Sequence, residues 1–263
     1  MGCINSSTRF GNWFGNIHFS GPCNRSCYFC IGQHMMELDP INNLGEWPPK
    51  NLREFIKACR VNGVKDVYLT GTNTDPIMYD NLEALTSLLA GHRFKVGVRT
   101  NGASHIHRLE FFDKASISIP SFDVDIYRSM MGSGEPPDLK DLKCRDVKIN
   151  VVLGPENKNN VFQTIRKIAS YGILKVNLRE PYGQPNVGDP LRDYLPLRHT
   201  YGMPVYSIFG AEVTYWDVHY AEVNSVNLFA DGTISEDYAI TRRYSGSLPQ
   251  ESFTHGRKRE QWL

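Results

Sequence analysis

Along the first two thirds of the chain, short apolar runs closed by polar turns marked with Gly or Pro alternate with longer stretches where apolar residues recur at helical spacing. The short runs, at residues 16–19, 66–69, 95–99, 115–119, 147–153 and 174–178, read as six strands. In "PPKNLREFIKACRVNG" Leu52, Phe55, Ile56 and Cys59 fall at i, i+3, i+4 and i+7, with prolines before the start and Gly63 after the end, which predicts a helix. That pattern puts Cys59 on the buried stripe as a packing residue. A second helix carries Leu82, Leu85, Leu88 and Leu89 and stops near Gly91. A third carries Val161, Ile165, Ile168 and Ala169 and ends at Gly172, with Asn160 as its expected N-cap and Gln163 three residues on.

Strands joined by such helices make right-handed crossovers and a parallel sheet, which either curls toward a barrel or opens as a doubly wound sheet. In a barrel, the loops after the strands open onto one face and carry the active site. Here those loops are "GPCNRSCYFC", "GTNTDP", "TNG", "SIPSFD", "GPENKN" and "REPYGQPNVGD", all polar and rich in Gly or Pro. From about Asp189 the rhythm fades. Residues 204–208, 212–218 and 225–229 look like strands of an extension, with a hairpin turn at Asp231 and Gly232. The expected organisation is a βα unit over residues 1–188 with a C-terminal extension, 189–263, packed on it; the tail "THGRKREQWL" is short, basic and expected to be exposed.

Composition narrows the classes. The chain has 263 residues, 41% hydrophobic and 22% charged, as in ordinary globular proteins. Its formal net charge of +1 creates no field toward nucleic acid or an anionic membrane, so partners must be argued from sites. No run of about 18 apolar residues occurs and the N-terminus lacks the apolar core of a secretion signal, so a cytoplasmic location is expected. "MGCINS" also fits the pattern for myristoylation at Gly2, against the plainer reading of a floppy N-terminus.

The densest chemistry lies in "GPCNRSCYFCIGQ", where Cys23, Cys27 and Cys30 share one loop. In a reducing compartment so tight a group points to metal or redox chemistry. Three thiolates in C-x3-C-x2-C spacing can converge on one metal centre. A structural zinc site would need a fourth ligand, for which His34 is the candidate. A four-iron cluster held by three cysteines would instead leave one iron open.

This motif, with Phe29 directly before the third cysteine, resembles the signature of the radical S-adenosylmethionine (radical SAM) superfamily. "VYLTGTNTDPIMYDNLEAL" occupies the place of that family's G-G-E-P motif after the second strand, and "VGVRTNG" resembles its third-strand ending, so the resemblance covers roughly residues 16–178. It implies a partial (β/α)6 TIM barrel with a small strand-rich C-terminal extension that helps to close or floor the cavity. It implies Cys23, Cys27 and Cys30 as ligands to three irons of a 4Fe-4S cluster, with S-adenosylmethionine chelating the fourth. Reductive cleavage of that cofactor would yield a 5′-deoxyadenosyl radical that takes hydrogen from the substrate. Phe29 would lie against the adenine, and Gly71, Thr72 and Asn73 would offer carbonyls to the methionyl amine. Thr72 and Asn73 depart from the family's glycine and glutamate; the alternative placement sets Thr74, Asp75 and Pro76 over the end of the motif. Asn101 and Ser118 are candidates facing the ribose and carboxylate; Asn150, within a strand, either joins them or pairs with backbone.

Other groups are weaker candidates. His105 and His107 read as exposed residues at a helix start, and Glu180 and Asp189, with Arg179 and Tyr182, as a charged loop that either contacts substrate or is simply solvated. No grouped cysteines follow Cys144, which argues against auxiliary clusters. Three functions therefore stand. The first is a radical SAM enzyme acting on a small molecule or peptide, fed by an electron donor such as flavodoxin or ferredoxin. The second is an activating protein for a glycyl-radical enzyme, and the third, from another class, a zinc-stapled binding protein without catalysis.

Overall fold

The computed structural model describes residues 13–30, 32, 41–140, 142–181, 187–216 and 224–236. Strands β1 (Trp13–Phe19), β2 (Asp66–Gly71), β3 (Lys95–Thr100), β4 (Lys114–Ser118), β5 (Asp146–Val152) and β6 (Lys175–Arg179) lie side by side in chain order, all parallel. Helices α1 (Leu52–Val61), α2 (Leu82–Gly91), α3 (Val124–Met131) and α4 (Val161–Ser170) form crossovers. The architecture is a partial (β/α)6 barrel.

The six predicted strands are all present, with ends shifted by at most three residues. Helix α1 buries Leu52, Phe55, Ile56 and Cys59, and a Cβ on Gly15 of β1 would stand 2.9 Å from the Phe55 ring and 3.1 Å from the Cys59 sulfur. Cys59 is thus a packing residue, its thiol pushed up to about 12 by burial. Asn160 is the N-cap residue of α4 as expected, but without a capping side-chain bond. Its Oδ1 accepts from Ser121 Oγ at 2.7 Å and Thr164 Oγ1 at 2.8 Å, while its Nδ2 donates to Gln163. Helix α3, to which the sequence reading assigned no element, is only eight residues long. Asp123 caps it by accepting from the Asp125 and Ile126 amides, and Gly132 ends it in the left-handed region at φ 81°.

The extension joins the same sheet. β9 (Ala211–Trp216) runs parallel beside β6, and β10 (Asn224–Leu228) parallel beside β1, so residues late in the chain flank both sides of the six-stranded core. β8 (Met203–Ile208) and β7 (Arg198–Thr200) add antiparallel beyond β9, through two-residue turns at Phe209–Gly210 and Tyr201–Gly202 whose residues all have positive φ. β11 (Ile234–Ser235) closes the expected hairpin around Asp231 and Gly232.

The sheet is two-faced. Ile17, Leu69, Val98, Ile117, Ile149, Val176 and Leu178 are buried on the outward face against the helices. Register puts Asn16, Tyr68, Arg99, Ser116, Lys148, Asn150 and Asn177 on the other face, toward the barrel interior. Among the described residues no helix is long and apolar enough to cross a membrane.

Candidate active site

The three cysteines follow β1 directly, at the mouth formed by the C-terminal ends of the parallel strands. The Cys30 amide donates to the Cys27 carbonyl at 3.1 Å, turning the loop back on itself. None of the three forms a disulfide. Helix α3 supports the loop from one side: the Ser26 amide donates to the Met131 carbonyl at 3.2 Å, Cys27 Sγ lies 3.5 Å from Met131 Sδ, and the Arg25 guanidinium lies 5.9 Å from the centre of the Tyr127 ring. A side chain on Gly132 would overlap Ser26, so glycine there both ends α3 and admits the loop. Tyr28 donates to Glu156 at 2.8 Å and ties the loop to the segment after β5.

The loop after β2 supports it from the other side. Asn73 Oδ1 accepts from Ser20 Oγ and the Gly21 amide, both at 2.9 Å, and Thr74 Oγ1 donates to the Pro22 carbonyl at 2.5 Å. A Cβ on Gly32 would overlap the Thr72 carbonyl and Asn73 Cα, so the two backbones touch there. Asp75, 2% exposed, accepts from Thr100 Oγ1 at 2.8 Å and from the Asn101 and Ile77 amides at 2.7 and 3.1 Å. Burial raises its carboxyl above the usual range against those three donors, which lower it. Asp75 therefore braces two loops. Asn101, held by that brace, donates to Asn24 Oδ1 at 2.7 Å and lies 3.9 Å from Cys23 Sγ, where its amide is a donor to sulfur.

Gly71, Thr72, Asn73, Asp75 and Asn101 are thus gathered around the cysteine loop. Ser118 ends β4 half-buried, opposite Asn150 in the ladder. Asn150 Nδ2 donates to Ser116 Oγ at 2.7 Å, a side-chain partner rather than backbone, and its buried Oδ1 has no partner among the described residues. His105 and His107 are exposed at the start of a short 3-10 helix. Glu180 accepts from the Tyr215 hydroxyl and Asp189 from the Leu191 amide, so both are engaged within the protein. Gly2, Cys3, His34, Tyr182 and the basic tail lie outside the described residues. Sequence reasoning missed Asn24, Arg25, Tyr28, Met131 and Glu156; the helix start at Asp123 was the one local signal that pointed toward the α3 support.

Among the described residues no three His, Cys, Asp or Glu side chains converge closely enough to share one ion. The fourth ligand that a structural zinc site would take, His34, lies outside the described residues. Three sulfurs in a single loop, a sulfur-directed amide and glycine-tight backbone around them fit a 4Fe-4S group. Burial pushes the Cys27 thiol up to about 12, with Cys30 and Cys23 adding to the rise, and burial likewise raises Cys23. Iron loading therefore releases protons and is favoured as pH rises.

A parallel partial barrel with a thiol loop at its mouth and polar side chains inside defines a metallocluster enzyme of the barrel class. The profile of the Radical SAM superfamily matches residues 17–178, and the chain belongs to that superfamily. Its cofactors are accordingly a 4Fe-4S cluster and S-adenosylmethionine. No curated protein matches the sequence. Among solved structures, Streptococcus suis SuiB bound to S-adenosylmethionine is 15% identical with a TM-score of 0.63, over 88% of this chain and 59% of that one. SuiB bound to the precursor peptide SuiA is 17% identical with a TM-score of 0.53, over 66% of this chain and 40% of that one. The chain thus spans about three fifths of SuiB or less, and the likeness is one of fold.

Proposed function

We propose that this chain is a single-cluster radical SAM enzyme in which Cys23, Cys27 and Cys30 bind three irons and which abstracts hydrogen from a peptide or small-molecule substrate. The observation that carries the reading is the placement of three thiols in one loop at the C-terminal mouth of a parallel barrel. When bound, the cluster supplies the electron that cleaves S-adenosylmethionine to a 5′-deoxyadenosyl radical. The chain's own residues bind and orient. Backbone at Phe29 would hold the adenine, carbonyls at Gly71, Thr72 and Asn73 the methionyl amine, and Ser118 the ribose. Asp75 and Asn101 keep the two loops in register, and Asn101 directs an N–H at the Cys23 sulfur. The barrel walls exclude water from a species that attacks whatever lies nearest. SuiB, which shares the fold, has been seen with a precursor peptide, and that favours a peptide here. The electron donor would be a flavodoxin or ferredoxin.

The test is anaerobic reconstitution with iron and sulfide, followed by S-adenosylmethionine and dithionite. Wild type is expected to turn brown and release 5′-deoxyadenosine, and Cys27→Ala to do neither. A fully loaded wild-type cluster that cleaves nothing, or zinc in place of iron, overturns the reading.

A further inference from the structure

The interior face of the sheet is not filled by the branched apolar side chains that pack a closed barrel. One row of the ladder runs from Thr70 through Arg99 and Ser116 to Lys148, and the next position up on β5 is Asn150. On β6, Asn177 stands opposite Asn150, and Arg179 two residues further up. The two guanidiniums are seated on aromatic rings: Arg99 lies 4.7 Å from the Tyr68 centroid and donates to Asn16 Oδ1 at 2.6 Å, and Arg179 lies 5.9 Å from that of Trp216. Lys148 differs. Among the described residues no carboxylate pairs with its ammonium; Asp146, the opposing charge nearby, is taken by Lys175 at 2.8 Å.

A half-buried cation among cations is costly for a folded chain. Burial first, then Arg99 and Arg179, lower the Lys148 ammonium to about 8. Beside it Asn150, only 6% exposed, aims an Oδ1 that has no partner among the described residues. An unneutralised donor next to an unsatisfied acceptor is what a ligand with an anionic group and an adjacent N–H would complete. Lys148 lies well below the mouth that carries the cysteine loop: it precedes Val152, the last residue of β5, by four positions, which puts its Cα about 13 Å below the strand end.

We infer that Lys148 and Asn150, with Arg99 in the same row of the ladder as Lys148, form a floor subsite for the substrate's carboxylate and a neighbouring N–H, so that the substrate is an acidic peptide residue or N-acylamino acid. This rests on the reading of the chain as a radical SAM enzyme and names the class of molecule it acts on. The substrate's anion anchors on the floor while its reacting carbon faces the mouth. Orientation would then come from charge at one end and the radical source at the other.

The test uses the cluster-loaded enzyme saturated with S-adenosylmethionine, titrated calorimetrically with N-acetylglutamate and with its neutral counterpart N-acetylglutamine. Wild type is expected to bind the acid and to bind the amide at least about tenfold more weakly. Lys148→Met, which keeps the side-chain length, is expected to lose that preference, and Lys148→Arg to retain it. Lys148→Met is checked for folding by its melting temperature, which is expected to match or exceed wild type. No preference for the acid in wild type, or a preference unchanged in Lys148→Met, sinks the inference. A tenfold fall in affinity for S-adenosylmethionine itself in Lys148→Met also sinks it, because the anion held would then be that cofactor's carboxylate. A wild-type chain that loads no cluster fails at the earlier step and takes down the functional reading as well; the subsite alone fails when S-adenosylmethionine binds and the acid does not.

Discussion

The two faces of one sheet are built for opposite purposes. Leu69 and Thr70 are consecutive on β2, yet Leu69 is fully buried among helices while Thr70 points into the barrel beside Arg99. The same holds along β5, where Ile149 and Val151 pack outward and Lys148 and Asn150 face inward. Parallel strands covered on both sides read as continuous apolar runs. Alternation in a parallel sheet therefore means that one face awaits something polar. The outward face holds the fold together, and the inward face gives up stability to hold a ligand.

The sharpest way to break this contrast is at those adjacent residues. Leu69→Ala is expected to lower unfolding free energy by about 2–5 kcal/mol, through lost burial and a residual cavity, while Thr70→Ala changes it by less than about 1 kcal/mol. Urea midpoints compare the two, and equal losses would show that the interior is packed as a second core.

Lys148→Met sharpens the contrast in the other direction. Its ammonium sits at about 8 in the folded protein against 10.5 for the ordinary group. Between those values the unfolded chain binds more protons than the folded one, so stability rises with pH. Below pH 8 the cost is fully present. Discounted for partial exposure, the variant should be more stable than wild type by about 1–3 kcal/mol at pH 7, with the gain vanishing above about pH 10.5. Urea unfolding from pH 6 to 10 checks both sign and window; a variant less stable at pH 7 would contradict an interior that opposes folding. The smallest effect is expected at the rim, where Tyr28→Phe removes the hydroxyl bonded to exposed Glu156 and should cost less than about 1 kcal/mol in the same assay.

Much of this was legible in the amino acids. The strand runs and the α1 stripe are local signals, so those elements fall within a few residues of their expected places. The cysteine spacing is local too, and the loop it marks lies at the mouth of the barrel. What escaped depends on distant partners. The α3 support reaches Cys27 from 104 positions away, and Glu156 meets Tyr28 across 128. Asn160 has the chemistry of a cap, but Ser121 and Thr164 compete for its oxygen, and no local pattern reports Ser121. Polar residues such as Arg99 and Lys148 were visible singly. That they share one face follows from strand register, which a tertiary fold sets. Nor does any local pattern say that β9 and β10 choose opposite flanks of the barrel.

That last arrangement bears on how the protein is made. β1 lies between β2 and β10, so one side of the first strand stays unpaired until residues 224–228 have been synthesised. At ordinary translation rates that is a wait of roughly ten to forty seconds. For that interval the nascent chain displays a bare strand margin of the kind that pairs promiscuously with other chains. Crowded ribosomes and high expression temperature should therefore harm the yield of this protein before they touch the stability of the finished fold.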